Sequence, residues 1–182
     1  MLPKLVILDR DGVINEDSDQ YIKSPAEWIP IPASLEAIAK LNTAGILVGV
    51  ATNQSGIARG YYDEQTLADM HKKMQTLLAS RGGHIDSIRY CSHGPDNSCE
   101  CRKPKAGMLL DIIQHLGMAK SECIFIGDTL SDSQAANNAA IDFALVKTGK
   151  GKRTLRNNPN FLQNTPVFQS LADYVEQLGL SV

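Results

Sequence analysis

Leu5-Val6-Ile7-Leu8 is an unbroken apolar run that stops at Asp9-Arg10-Asp11-Gly12. A run this short without polar alternation has no wet side, so it suits a strand covered on both faces, as in a parallel sheet sandwiched by helices. The pattern recurs at Ile46 to Ala51, ending at Thr52, then near Ile85 to Tyr90, at Cys123 to Ile126 and at Phe143 to Val146. Between these runs the apolar period lengthens. Leu35, Ile38, Ala39 and Leu41 form a helical face before Gly45, and Leu67, Met70, Met74, Leu77 and Leu78 form a longer one that Gly82 and Gly83 stop. Met108, Leu109, Ile112, Ile113 and Leu116 form a third, with Gly117 in its C-terminal cap position. Shorter helices are expected over 131–140 and from Leu171 to Leu178.

Strands alternating with helices predict the α/β class, a Rossmann-like doubly wound parallel sheet. Residues 12–32 carry Pro25, Pro30 and Pro32 and no helical period, and they read as a small flap. The stretch 148–167, rich in Gly, Lys, Asn and Pro, reads as surface loop. At 182 residues the chain suits one domain, 1–182, with no room for a second. A net charge of -2 gives no general attraction to nucleic acid or anionic membrane. No segment has the length of a membrane span or the layout of a signal peptide, so a cytoplasmic protein is expected. Neither Gly-x-x-x-x-Gly-Lys-[Ser/Thr] nor Gly-x-Gly-x-x-Gly occurs, which leaves NTP and dinucleotide binding unsupported.

In an open α/β sheet, ligands bind beyond the carboxyl ends of the strands, and this chain puts its conspicuous polar residues there. Strand one ends in Asp9 and Asp11, strand two in Thr52-Asn53-Gln54-Ser55, strand three runs toward Arg102-Lys103, and strand four ends in Gly127-Asp128. Asp9, Asp11 and Asp128 offer the hard oxygen donors that Mg²⁺ prefers. One carboxylate can attack phosphorus while another serves as acid and then base. Thr52 through Ser55 offer a hydroxyl and backbone N–H groups, and Lys103 a cation, for the phosphoryl oxygens. Asp132 reads either as a helix-start carboxylate or as support for Lys103 or the metal. Lys147, Lys150, Lys152 and Arg153 read as a solvated basic loop near the rim, and His71 and His115 as helix residues without ligand roles.

Cys91, His93, Cys99 and Cys101 fall within eleven positions. Three thiolates and one imidazole suit a closed tetrahedral Zn²⁺ with a structural role. Loose thiols beside a buried histidine, or a Cys99/Cys101 redox pair, are the other readings of the same spacing. Arg102 and Lys103 directly follow the last ligand, so a bound ion would aim both cations. The planar guanidinium of Arg102 suits a second phosphate or sugar hydroxyls, and Arg59 is a second candidate.

Asp9-Arg10-Asp11-Gly12, Thr52, Lys103 and Gly127-Asp128 resemble the four motifs of the haloacid dehalogenase (HAD) superfamily of phosphatases. The resemblance implies Asp9 as nucleophile, Asp11 as general acid/base, Thr52 and Lys103 as phosphoryl stabilisers, and Asp9, Asp11 and Asp128 as the Mg²⁺ site, with Asp11 binding through its backbone carbonyl. Tyr21-Ile22-Lys23-Ser24-Pro25, Ala51 to Gly60 and Cys101 to Pro104 look more narrowly like the capless heptose-bisphosphate phosphatases. That branch removes the C7 phosphate of D-glycero-D-manno-heptose 1,7-bisphosphate on the route to lipopolysaccharide core, and its relative acts on histidinol phosphate. The same resemblance places Asp17, Asp19, Gln20 and Tyr21 over a small sugar-phosphate substrate, and it implies a monomer acting without nucleic acid. Some relatives carry a lysine where this chain has Thr129.

Overall fold

The computed structural model describes residues 1–160 and 163–180. Strand β1 (Leu5–Leu8) lies inside a six-stranded, all-parallel sheet with β2 (Leu47–Asn53), β3 (Ser87–Cys91), β4 (Cys123–Gly127), β5 (Asp142–Val146) and β6 (Val167–Phe168), ordered β3-β2-β1-β4-β5-β6. Helices α1 (Pro32–Thr43), α2 (Glu64–Ala79), α3 (Gly107–His115), α4 (Leu130–Ala139), α5 (Gly151–Asn157) and α6 (Leu171–Gln177) connect or follow the strands. Among the described residues no helix is long and apolar enough to cross a membrane.

The unbroken apolar run of β1 is explained by its two covered faces. Val6 and Leu8 join the core that α1, α2 and α6 close with Leu35, Ile38, Met70, Met74, Leu171 and Val175. Leu5 and Ile7 turn to the other face, against Met108, Leu109 and Ile112 of α3 and Ala135, Ala136 and Ala139 of α4. Burying such aliphatic side chains is worth about 1.5–3 kcal/mol each, which fixes β1 in the middle of the sheet.

Residues 12–32 form the expected flap as far as Ile31, whereas Pro32 already begins α1, a position where its missing N–H costs nothing. The flap is anchored rather than loose. Asn15 bridges both Asp11 and Pro30, Trp28 is fully buried, and the Lys73 ammonium donates to the carbonyls of Pro25 and Trp28, each at 2.7 Å.

The stretch expected as loop over 148–167 holds two regular elements, α5 and the start of β6; Phe161 and Leu162 within it lie outside the described residues. Helix α5 escapes a periodicity argument because only Gly151 and Thr154 of it are buried. Strand β6 has two residues, too few to establish a period, and it is recruited by pairing with Leu145 and Val146.

The chain runs from β1 outward to β2 and β3, then returns to β4 on the other side of β1. The switch point therefore lies between the carboxyl ends of β1 and β4, where Asp9 and Asp128 emerge. Gly12 makes that end possible. Its φ is +84°, and a Cβ there would stand 2.3 Å from Asp128 Oδ2, while the Thr148 hydroxyl donates to its carbonyl at 2.6 Å. Gly45 also has a left-handed φ, +75°, but opens on empty space. Gly45→Ala is therefore expected to cost about 1 kcal/mol of backbone strain, and Gly12→Ala at least about twice that. Urea unfolding of the two variants measures this directly, and equal costs would contradict the close approach.

Candidate active site

Lys103 stands at the centre of the site and is only 3% exposed. Its ammonium lies 3.0 Å from Asp9 Oδ1 and 2.7 Å from Asp132 Oδ1, and it donates to the Ala51 carbonyl at 2.9 Å. Burial alone would lower its pKa, but the Asp132 and Asp9 carboxylates together raise it, so it stays charged. Its backbone is locked to the end of β2 by a reciprocal pair: Lys103 N–H donates to Asn53 Oδ1 at 3.0 Å, and Asn53 Nδ2 donates to the Lys103 carbonyl at 3.1 Å.

Asp132 is completely buried and does three things. Besides pairing with Lys103, its Oδ2 accepts the backbone N–H groups of Asp128 and Thr129, each at 3.1 Å, closing a capping box at the start of α4. Of the two readings open from sequence, helix-start carboxylate and support for Lys103, both are realised in one side chain.

Asp9 Oδ1 also accepts its neighbour's N–H, from Arg10, at 2.8 Å. Burial first, then Asp132, raises the Asp9 pKa well above the usual carboxylate range, against the opposing pull of Lys103. Asp128 is likewise pushed up, to about 7, by burial and by Asp132. Its Oδ2 accepts the Lys150 backbone N–H at 2.7 Å, while its buried Oδ1 has no partner among the described residues. Oxygens of Asp9, Asp128 and Asp132 lie within 4.8 Å of one another. Crowded carboxylates and an unpartnered buried oxygen fit a hard divalent cation, whose charge relieves the repulsion.

The Asp11 side chain turns away from that cluster. Its Oδ1 receives Nε and Nη2 of Arg10, both at 2.8 Å, and Asn15 Nδ2 at 3.0 Å, while Oδ2 receives Gln54 Nε2 at 3.3 Å. Burial would raise its pKa, but Arg10 and these donors outweigh it and hold Asp11 below the usual range. Arg10 is itself fully buried, and its Nη1 donates to His71 Nε2 at 3.3 Å. Burial, with Arg10 beside it, pushes His71 down to about 4 and keeps it a neutral acceptor. Sequence reasoning gave Arg10 no role, although a charged residue between two site aspartates was the available signal, and it placed His71 on a helix without its contact to Arg10.

Thr52 and Gln54 are both buried, and Gln54 Nε2 donates to Thr52 Oγ1 at 2.9 Å while Oε1 accepts the Tyr62 hydroxyl at 2.5 Å. Asn53 and Gln54 thus tie the site together with their amides. A cavity of 180 Å³ is lined by Asp9, Asp11, Thr52, Lys103, Asp128 and Lys150. It adjoins one of 260 Å³ to which Asp17, Asp19, Tyr21, Ser55 and Arg102 contribute. Two of the expected substrate contacts stay outside both. Arg59 is held over the Tyr21 ring at 5.7 Å, and Gln20 lines a neighbouring cleft with Lys23 and Glu27 that shares Ser18, Tyr21 and Ile22 with the second cavity.

The second cluster is brought together as its spacing suggested. Donor atoms of Cys91, His93, Cys99 and Cys101 lie within 4.8 Å of one another, and all four cysteines of the chain are unbridged. Burial drives the Cys91 thiol up to about 12, while Cys99, against its own desolvation, is brought down to about 7 by the Arg102 N–H and the neighbouring thiols; three thiols and an imidazole in contact fit a soft cation such as Zn²⁺. The loop is wired to the substrate side: Arg102 Nη1 donates to the carbonyl of His93 at 3.2 Å.

Comparison with known proteins agrees with this architecture. The HAD-hydrolase-like family matches residues 100–174. D-glycero-beta-D-manno-heptose-1,7-bisphosphate 7-phosphatase of Pseudomonas aeruginosa is 54% identical over 172 residues, covering 94% of this chain and 96% of its own. The D,D-heptose 1,7-bisphosphate phosphatase of Bordetella bronchiseptica, solved with magnesium and phosphate, superposes with a TM-score of 0.92 at 48% identity, over 96% of this chain and 97% of that one. The enzyme of the same name from Burkholderia thailandensis gives 0.76 at 39% identity, over 98% and 99%. With such identity along nearly its whole length, and with the carboxylate cluster and buried lysine at the switch point of its sheet, the chain belongs to the heptose-1,7-bisphosphate 7-phosphatase family of HAD-like hydrolases.

Proposed function

We propose that the chain removes the C7 phosphate of D-glycero-β-D-manno-heptose 1,7-bisphosphate, as a cytoplasmic, Mg²⁺-dependent monomer supplying heptose for lipopolysaccharide core. The observation that carries this reading is the buried Lys103 ammonium, 3.0 Å from Asp9 Oδ1, in a chain 54% identical to an enzyme of that name.

With Oδ1 of Asp9 engaged by Lys103 and the Arg10 N–H, Oδ2 is left to form the bond to phosphorus. As the phosphorus bond to the C7 oxygen breaks, that oxygen takes a proton from Asp11, which carries one only once its carboxylate leaves the Arg10, Asn15 and Gln54 donors that hold it ionised in this arrangement. The resulting aspartyl-phosphate is attacked by water, whose proton Asp11 takes up, and Asp9 is released with inorganic phosphate. Thr52 donates to a phosphoryl oxygen, and Lys103, its three N–H groups given to Asp9, Asp132 and Ala51, stabilises the phosphoryl group through its charge in both steps. Asp9 and Asp128, with the Asp11 backbone carbonyl, would hold Mg²⁺, which when bound offsets the negative charge of carboxylates and phosphate. Asp17, Asp19, Tyr21, Ser55 and Arg102 contact the sugar and its second phosphate from the adjoining cavity.

Cys91, His93, Cys99 and Cys101 would hold a structural Zn²⁺ that keeps Arg102 and Lys103 in place. Histidinol phosphate is the alternative substrate, and no relative reported above is named for it. A phosphate-release panel is expected to give a kcat/KM for the β-bisphosphate at least about tenfold above that for histidinol phosphate; the reverse order would overturn the assignment. Cys99→Ser, or zinc chelation, is expected to lower kcat/KM by about tenfold or more and to open the 92–100 loop to proteolysis. Full activity in zinc-free protein would remove the metal from the account.

A further inference from the structure

Three cavities meet at Lys150. One holds Asp9, Thr52 and Lys103, and the second continues past Asp17 and Asn53 toward Arg102. The third lies between the flap residues Glu16, Asp17 and Asp19 and the cations Lys152, Arg153 and Arg156. The backbone of Lys150 is fixed, because its N–H holds Asp128 Oδ2 at 2.7 Å and Thr148 beside it holds the Gly12 carbonyl. Its side chain is not fixed in the same way. Among the described residues the ammonium has only flap partners, Asp17 Oδ2 at 3.3 Å and Asp19 Oδ1 at 4.0 Å, and Arg153 pairs with Asp19 at 3.2 Å. Asp19 and Arg153 are largely solvated, and ion pairs of this kind are weak.

Lys103 is committed to Asp9, Asp132 and the Ala51 carbonyl at the reacting group. A substrate with a phosphate at each end needs cations farther along, and the second cavity has two, Arg102 and Lys150. The flap carboxylates now against Lys150 present the same anionic oxygens a phosphate would bring. We propose that Lys150 is a specificity-determining residue that exchanges Asp17 and Asp19 for the phosphate of the substrate that is not transferred. This rests on the bisphosphate reading above.

The test compares heptose 1,7-bisphosphate with heptose 7-phosphate in wild type, Lys150→Met and Lys150→Arg. Neither substitution touches the backbone N–H that holds Asp128. In Lys150→Met the ratio of kcat/KM for the bisphosphate to that for the monophosphate is expected to fall by about tenfold or more, mainly through KM, with Lys150→Arg keeping most of the ratio. Equal losses on both substrates would make Lys150 a flap latch or a partner of the transferred group and overturn the inference. So would an unchanged ratio while wild type still prefers the bisphosphate. A wild type that does not distinguish the two substrates overturns the bisphosphate reading and this inference with it.

Discussion

A lysine ammonium buried between two buried carboxylates is the interaction around which this protein is built. Taking such charges out of water costs several kcal/mol per ion, and a buried pair left with one partner missing is destabilised by about 3–5 kcal/mol. Lys103 meets that cost with Asp132, Asp9 and the Ala51 carbonyl, so the loop after β3, the end of β1, the end of β2 and the first turn of α4 are held in one arrangement. Asp132 extends the constraint into the cap of α4, and Asn53 extends it to β2. The nucleophile candidate is therefore oriented by the interactions that join the strand ends.

A second network parallels the first. Arg10, buried between Asp11 and the neutral imidazole of His71, orients the Asp11 carboxylate together with Asn15 and Gln54. Asp9 and Asp11 are two residues apart, yet their environments push their affinities for protons in opposite directions, up for Asp9 and down for Asp11. In Asp9 the cause is burial among like charges, which a cation reverses. In Asp11 it is the guanidinium, which fits a side chain kept apart from the carboxylate cluster.

The five longer strands and the helices other than α5 were legible because each buries enough apolar side chain to impose a period. The short α5 and β6 were not, since their places are set by partners distant in sequence rather than by their own pattern. That Asp9, Asp11, Asp128, Thr52 and Lys103 share one cavity was legible because polar residues at strand ends need a reason to be there. Lys150 was hidden in a basic loop: nothing local distinguishes it from Lys147 or Lys152, and only the fold brings its N–H to Asp128. Arg59 and Gln20, near the site in sequence, lie instead over the Tyr21 ring and in a neighbouring cleft.

The claim on which everything else rests is that Asp9 takes the phosphoryl group. Rapid acid quench of the protein with heptose bisphosphate labelled in its C7 phosphate, followed by peptide mapping, tests it in one turnover. The account predicts transient label as an acyl phosphate on the peptide containing Asp9, decaying as inorganic phosphate appears. Label on another residue, or release of phosphate with no labelled protein at any time during the turnover, would contradict it.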